Sequence, residues 1–60
     1  MTHPQNSCIL LIEDEPAIAD TVVYALNTEG FEPIWRMTGQ EGLTAFQDYQ
    51  PALVILDIGL

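Results

Sequence analysis

Three carboxylates carry the chemistry this chain can offer. Glu13 and Asp14 follow the apolar run Cys8-Ile9-Leu10-Leu11-Ile12, and Asp57 follows the run Ala52-Leu53-Val54-Ile55-Leu56. Each run is continuous rather than alternating, as expected of a strand buried on both faces of a sheet. Acids placed just beyond such strands sit at the strands' carboxyl ends. Neighbouring strands lie about 4.8 Å apart, so the three side chains meet at one edge of the sheet if these strands are adjacent. Left alone they repel, and at least one pKa rises. The cluster offers only oxygen ligands, with no His or Cys near it in sequence, and that suits a hard cation. A few carboxylates with waters and a phosphate oxygen form the usual Mg2+ arrangement. An aspartate beside that ion can also act as a nucleophile and become an aspartyl phosphate. Phosphoryl transfer asks chiefly for in-line positioning and neutralised charge. A helix dipole alone favours acids between a strand and a helix. That accounts for one or two of Glu13, Asp14 and Glu15, but not for Asp57 at the end of another strand.

The elements that must position these acids are legible in order. Cys8 to Ile12 predict a first strand. Pro16 suits the first turn of a helix, where its missing N–H costs nothing, and either Asp14 or Glu15 is placed to cap it. Ile18, Val22, Ala25 and Leu26 recur at helical spacing and predict an apolar face. Gly30 predicts a left-handed stop, so the helix runs from about residue 16 to 28. Phe31 to Met37 predict a second strand, and Pro33 within it removes a ladder donor and assigns it to a sheet edge. Trp35 in that strand is compatible with either packing or exposure. Thr38 and Glu41 have the spacing of a capping box. Leu43 and Phe46, with Ala45 or Tyr49, predict a short amphipathic second helix. Gln50-Pro51 reads as a turn before the third strand, Ala52 to Leu56.

Strands alternating with single helices imply an α/β fold with a parallel sheet and helices on both faces. With the Pro-bearing strand at the edge, the simplest order is 2-1-3. The winding direction then reverses between strands one and three, and ligands of open α/β sheets bind beside such a switch point, at the strands' carboxyl ends.

The chain has 60 residues, of which 48% are hydrophobic, so it is not a disordered tail. A domain this short is marginal by itself, and the apolar run into Asp57 leads to no closing element. The expected reading is a loose N-terminus over residues 1–7 and the first part of a longer domain over 8–60. Nine acids stand against one Arg and no Lys, a formal charge of −8. Such a segment repels phosphate backbones and is not itself a nucleic-acid grip. Glu29, Glu32, Glu41 and Asp48 read as solubilising surface acids. The single Cys8 excludes an internal disulfide, fits a reducing compartment and reads as a buried, inert thiol. His3 falls in the polar opening and reads as exposed. No signal peptide and no run long enough to span a bilayer is present.

Taken together, "ILLIEDEP", "EGFE", "TGQE" and "PALVILDIGL" resemble the first half of a response-regulator receiver domain of bacterial two-component signalling, over about residues 8 to 60. The resemblance implies a partial flavodoxin-like, doubly wound sheet. It implies Asp57 as phosphoryl acceptor from a sensor histidine kinase. Asp14 would be a direct Mg2+ ligand, Glu13 a ligand acting largely through water, and the Gly59 carbonyl a further ligand. Glu15 matches the pattern but not a ligand position. "DIGL" and "EGFE" look most like receivers of the OmpR/PhoB kind, fused to a winged-helix DNA-binding domain. That implies a cytoplasmic, non-enzymatic regulator of transcription whose DNA contacts lie in a separate domain. The family's Thr or Ser, its Lys and the later helices used for homodimerisation would all fall beyond residue 60; Thr38 and Thr44 lie around the second helix and do not replace that hydroxyl. Two other functions compete. A Mg2+ phosphohydrolase with an Asp nucleophile commonly needs a second Asp two residues later, where this chain has Gly59. A phosphorylation-independent interaction module would have no need of the acid set.

Overall fold

A computed structural model of the chain describes residues 6–57. Five elements follow one another: β1 (Cys8–Glu13), α1 (Pro16–Thr28), β2 (Glu32–Arg36), α2 (Gly39–Tyr49) and β3 (Leu53–Asp57). The strands are parallel and ordered β2-β1-β3. The Pro33-bearing strand is at the edge, and the architecture is the 2-1-3 fragment of a flavodoxin-like sheet. The chain steps from β1 to β2 in one direction and returns across β1 to reach β3. Crossovers of the usual right hand that move in opposite directions along the sheet place α1 and α2 on opposite faces.

β1 is buried on both sides, as its unbroken apolar run requires. Leu10 and Ile12 form a core with Ala45 of α2, and Ile34 of β2 packs against it. Ile9 and Leu11, alternating with them, point to the other face and are buried too. Gly42 lets α2 come this close. A Cβ at that position would lie 2.7 Å from Ile12 Cγ1 and nearer still to Cδ1.

Both helices are stopped and started by local chemistry. At the end of α1, Gly30 adopts φ +89°. Its N–H donates to the Asn27 carbonyl at 3.0 Å, and that of Phe31 to the Leu26 carbonyl at 2.9 Å, the paired bonds of a Schellman motif. At the start of α2, Thr38 Oγ1 accepts from the Glu41 N–H at 3.1 Å. The return bond of the capping box falls one residue early: the Met37 N–H donates to Glu41 Oε1 at 3.3 Å. Gln50 closes α2 in a left-handed conformation, φ 48°.

The buried helix faces differ from those expected. In α1, Ala19 is buried and Val22, Val23 and Leu26 are half-buried, whereas Ile18 and Ala25 are exposed. The packed stripe is therefore 19-22-23-26, because α1 packs on β1 and β2. In α2 the buried residues are Gly42 and Ala45, while Leu43, Phe46 and Tyr49 are exposed. Close approach to β1 selects the small residues and leaves the large ones on the flank. β3 pairs with β1, but neither helix backbone packs on it. Leu53, Val54 and Leu56 are exposed, Leu56 by 66%.

Cys8 is free and half-buried rather than buried, since it begins the strand. Of the expected loose opening, residues 1–5 with His3 lie outside the described residues. Asn6 and Ser7 are tied down: Asn6 Nδ2 donates to the Gln50 carbonyl at 2.9 Å, and the Ser7 carbonyl accepts from the Glu32 N–H at 2.9 Å. No helix among the described residues is long and apolar enough to cross a membrane.

Candidate functional site: the acid edge of the sheet

The parallel pairing of β1 with β3 runs Ile9↔Leu53 through Glu13↔Asp57. The two acids are register partners at the carboxyl ends of adjacent strands, forty-four positions apart in sequence. Glu13 is the last residue of β1 and is only 1% exposed, whereas Asp14 and Asp57 are exposed. So the structure joins Glu13 to Asp57 and sets Asp14 at the mouth, one residue beyond the strand. Gly59 lies outside the described residues.

Glu13 is held by its own turn. Its Oε2 accepts from the Glu15 N–H at 2.9 Å. Glu15 occupies the N-cap position of α1, yet its side chain makes no capping bond. Neither Asp14 nor Glu15 makes a side-chain cap; the N–H of Glu15, the N-cap residue, is engaged by the Glu13 carboxylate. That N–H draws the Glu13 pKa down. Burial, the negative charge of Asp57, and hydrogen-bonding proximity to the Asp14 and Asp57 carboxylates push it up, and the upward effects prevail over its ordinary value. The other oxygen, Oε1, is buried and has no hydrogen-bond partner. An unpartnered buried carboxylate oxygen is costly. A proton shared with a neighbouring acid would satisfy it, and so would a cation.

This observation fits the hard ion that the donor set suggests. The oxygens of Glu13, Asp14 and Asp57 carry up to three negative charges at one edge, and one of these oxygens is orphaned. Among the described residues, no three His, Cys, Asp or Glu side chains are gathered to hold a metal ion; Glu13 and Asp57 are register partners, and the Asp14 carboxylate lies beside Glu13.

A residue that sequence reasoning left undecided also belongs to this edge. Trp35 of β2 is half-buried, and its indole Nε1 donates to the main-chain carbonyl of Glu13 at 2.8 Å. Spacing gives no signal for this bond. It becomes visible only once β2 lies beside β1.

The chain is similar over most of its length to known regulatory proteins. The chain is 36% identical over 52 residues to the DNA-binding response regulator MtrA of Mycolicibacterium smegmatis, covering 87% of this chain and 23% of the relative. It is 41% identical over 56 residues to the transcriptional regulatory protein CreB of Escherichia coli, covering 93% and 24%. It is 38% identical over 52 residues to the cell cycle transcriptional regulator CtrA of Caulobacter vibrioides, covering 87% and 22%. Its homologues are response regulators of the OmpR/PhoB family. The match to these response regulators falls on their N-terminal receiver region, and the chain spans less than a quarter of the length of each. No family model matches the chain, and no solved structure matches it significantly.

Proposed function

We propose that these residues form part of a receiver domain in which Asp57 accepts a phosphoryl group from a sensor histidine kinase, in the cytoplasm, to control a DNA-binding transcriptional output carried elsewhere in the polypeptide. A carboxylate oxygen of Asp57 attacks phosphorus. The phosphorus–nitrogen bond of the phosphohistidine breaks, and the imidazole nitrogen leaves with the bonding pair and takes a proton from water. Asp57 suits this role because it is exposed at a strand end, open to a partner protein. Asp14 and Asp57 would hold Mg2+ directly, with Glu13 acting largely through water and the Gly59 carbonyl as a further ligand. Bound there, the ion neutralises charge on the incoming phosphoryl group. The single observation that carries the reading is the pairing of Glu13 with Asp57 around a buried carboxylate oxygen that lacks a partner. The added phosphate brings about 1.5 to 2 negative charges to this edge, enough to bias a two-state element packed against it. Homodimerisation through later helices fits the same reading.

The test uses the native polypeptide that carries these residues, incubated with Mg2+ and acetyl phosphate. It should gain one phosphoryl group by intact mass, as a hydroxylamine-sensitive acyl phosphate. Asp57→Asn should gain none. Equal labelling of the Asn variant removes Asp57 as acceptor.

A further inference from the structure

The geometry points to Trp35 as a positioning residue for Asp14, fixing from the neighbouring strand the peptide plane from which that carboxylate departs. This rests on the reading of Asp14 as a metal ligand. Asp14 is exposed, so packing does not orient it. Its backbone is held instead, on both sides. The peptide unit before it carries the Glu13 carbonyl, which accepts from Trp35 Nε1 at 2.8 Å. The unit after it carries the Glu15 N–H, which donates to Glu13 Oε2 at 2.9 Å. Both planes that flank Asp14 are thus pinned, one by β2 and one by the preceding acid.

The reach of Trp35 follows from register. It is the ladder partner of Leu11, so its indole extends two residues along β1 to Glu13, a diagonal span that aromatic side chains can cover. The bond is part-buried, which limits competition from water. β2 places no acid at this edge, yet through Trp35 it bears on the site. A ligand whose backbone is already ordered loses less freedom on binding a cation, and supporting hydrogen bonds of this kind are typically worth tenfold or more in metal affinity.

The experiment titrates Mg2+ by calorimetry into the native polypeptide carrying these residues, with thermal melts run without metal. Three proteins are compared: the parent, Trp35→Phe, and one with benzothienylalanine in place of Trp35, which keeps the bicyclic shape but has sulfur where the N–H was. Both substitutions should weaken Mg2+ about tenfold. The benzothienyl protein leaves the Glu13 carbonyl without its donor, so Tm should fall slightly, while the 15N order parameter at Asp14 should fall and those along β1 should not. Parental Mg2+ affinity in the benzothienyl protein overturns the role of Trp35 and leaves Asp14 as a ligand. A loss of affinity that comes with lowered order parameters all along β1 also overturns it, as a packing effect. A parent that binds no Mg2+ overturns both this role and the metal reading beneath it.

Discussion

Glu13 and Asp57 are register partners at the ends of β1 and β3, one buried and the other exposed. The pairing sets the pH response of the fold. The folded-state pKa of Glu13 lies above its ordinary 4.5, so folding favours its protonated form. The favourable contribution is complete below about pH 4.5 and is lost as pH rises through the raised folded value. Glu13→Gln keeps an acceptor for the Glu15 N–H and discards the charge. It should raise Tm at neutral pH, with the gain over the parent shrinking toward pH 4.5. Thermal melts of the native polypeptide that carries these residues, without divalent ions, measure that difference, and a gain that grows on acidification contradicts the assignment.

The charge of Asp57 is one of the effects that hold Glu13 up. Asp57→Asn should therefore lower the Glu13 pKa toward its ordinary value and stabilise the fold near neutrality. Carboxyl 13C NMR of Glu13 against pH in parent and variant reads this directly. An unmoved titration would mean that burial and the neighbouring Asp14 set the shift without Asp57.

Gly42 sits inside α2, where Gly→Ala ordinarily gains about 1 kcal/mol of helix propensity. Here the new methyl would collide with Cγ1 and Cδ1 of buried Ile12. The Cγ1 clash cannot be relieved without moving χ1 of a β-branched residue, which is stiff. Overpacking costs about 1 to 3 kcal/mol, so Gly42→Ala should be neutral to destabilising by up to about 2 kcal/mol, the difference between the two effects. Urea denaturation of the native polypeptide that carries these residues measures it. A clear stabilisation would show that α2 stands further from β1.

The two left-handed residues predict opposite signs. Gly30 has φ +89° and open space where a Cβ would go, so Gly30→Ala costs only backbone strain, about 1 kcal/mol. Gln50 already bears that strain at φ 48°. Its main-chain carbonyl accepts from Asn6 and its N–H bonds to Phe46, and Gln50→Gly keeps both groups. That change should stabilise by about 0.5 to 1 kcal/mol. Paired denaturation curves with the same sign for both variants would refute the account.

What was legible in the sequence is what local chemistry dictates. The continuous run of β1, Pro16 and Gly30 around α1, Pro33 on the edge strand, and Thr38 before α2 each act within a few residues. The acids could be placed together because two strands ended in them and the topology had few alternatives. The buried helix faces could not be read this way. Ile18, Leu43 and Phe46 are large and apolar at helical spacing, yet the helices approach through Ala19, Gly42 and Ala45. Size favours burial only where there is room, and the close α2–β1 packing leaves none. The Trp35–Glu13 bond and the turn from Glu13 Oε2 to the Glu15 N–H depend on three-dimensional placement, with no periodicity to announce them.

β3 supplies the last prediction. It has one paired edge, and its apolar side chains are open on both faces, with Leu53, Val54 and Leu56 exposed. An open apolar edge strand templates pairing with other chains. The formal charge of −8 opposes association, but repulsion between exposed charges is screened beyond about 8 to 10 Å at physiological salt, whereas edge pairing acts at contact. Residues 1–60 by themselves should therefore self-associate at micromolar concentration, more so as salt is raised, and should melt without a sharp cooperative transition. Leu53→Glu puts a charge on that edge at the end remote from Asp57, on a side chain already half in solvent. It should reduce association with little loss of helix content. Sedimentation velocity and circular dichroism across salt concentrations test both statements, and a monomeric 60-residue chain with a sharp transition contradicts them.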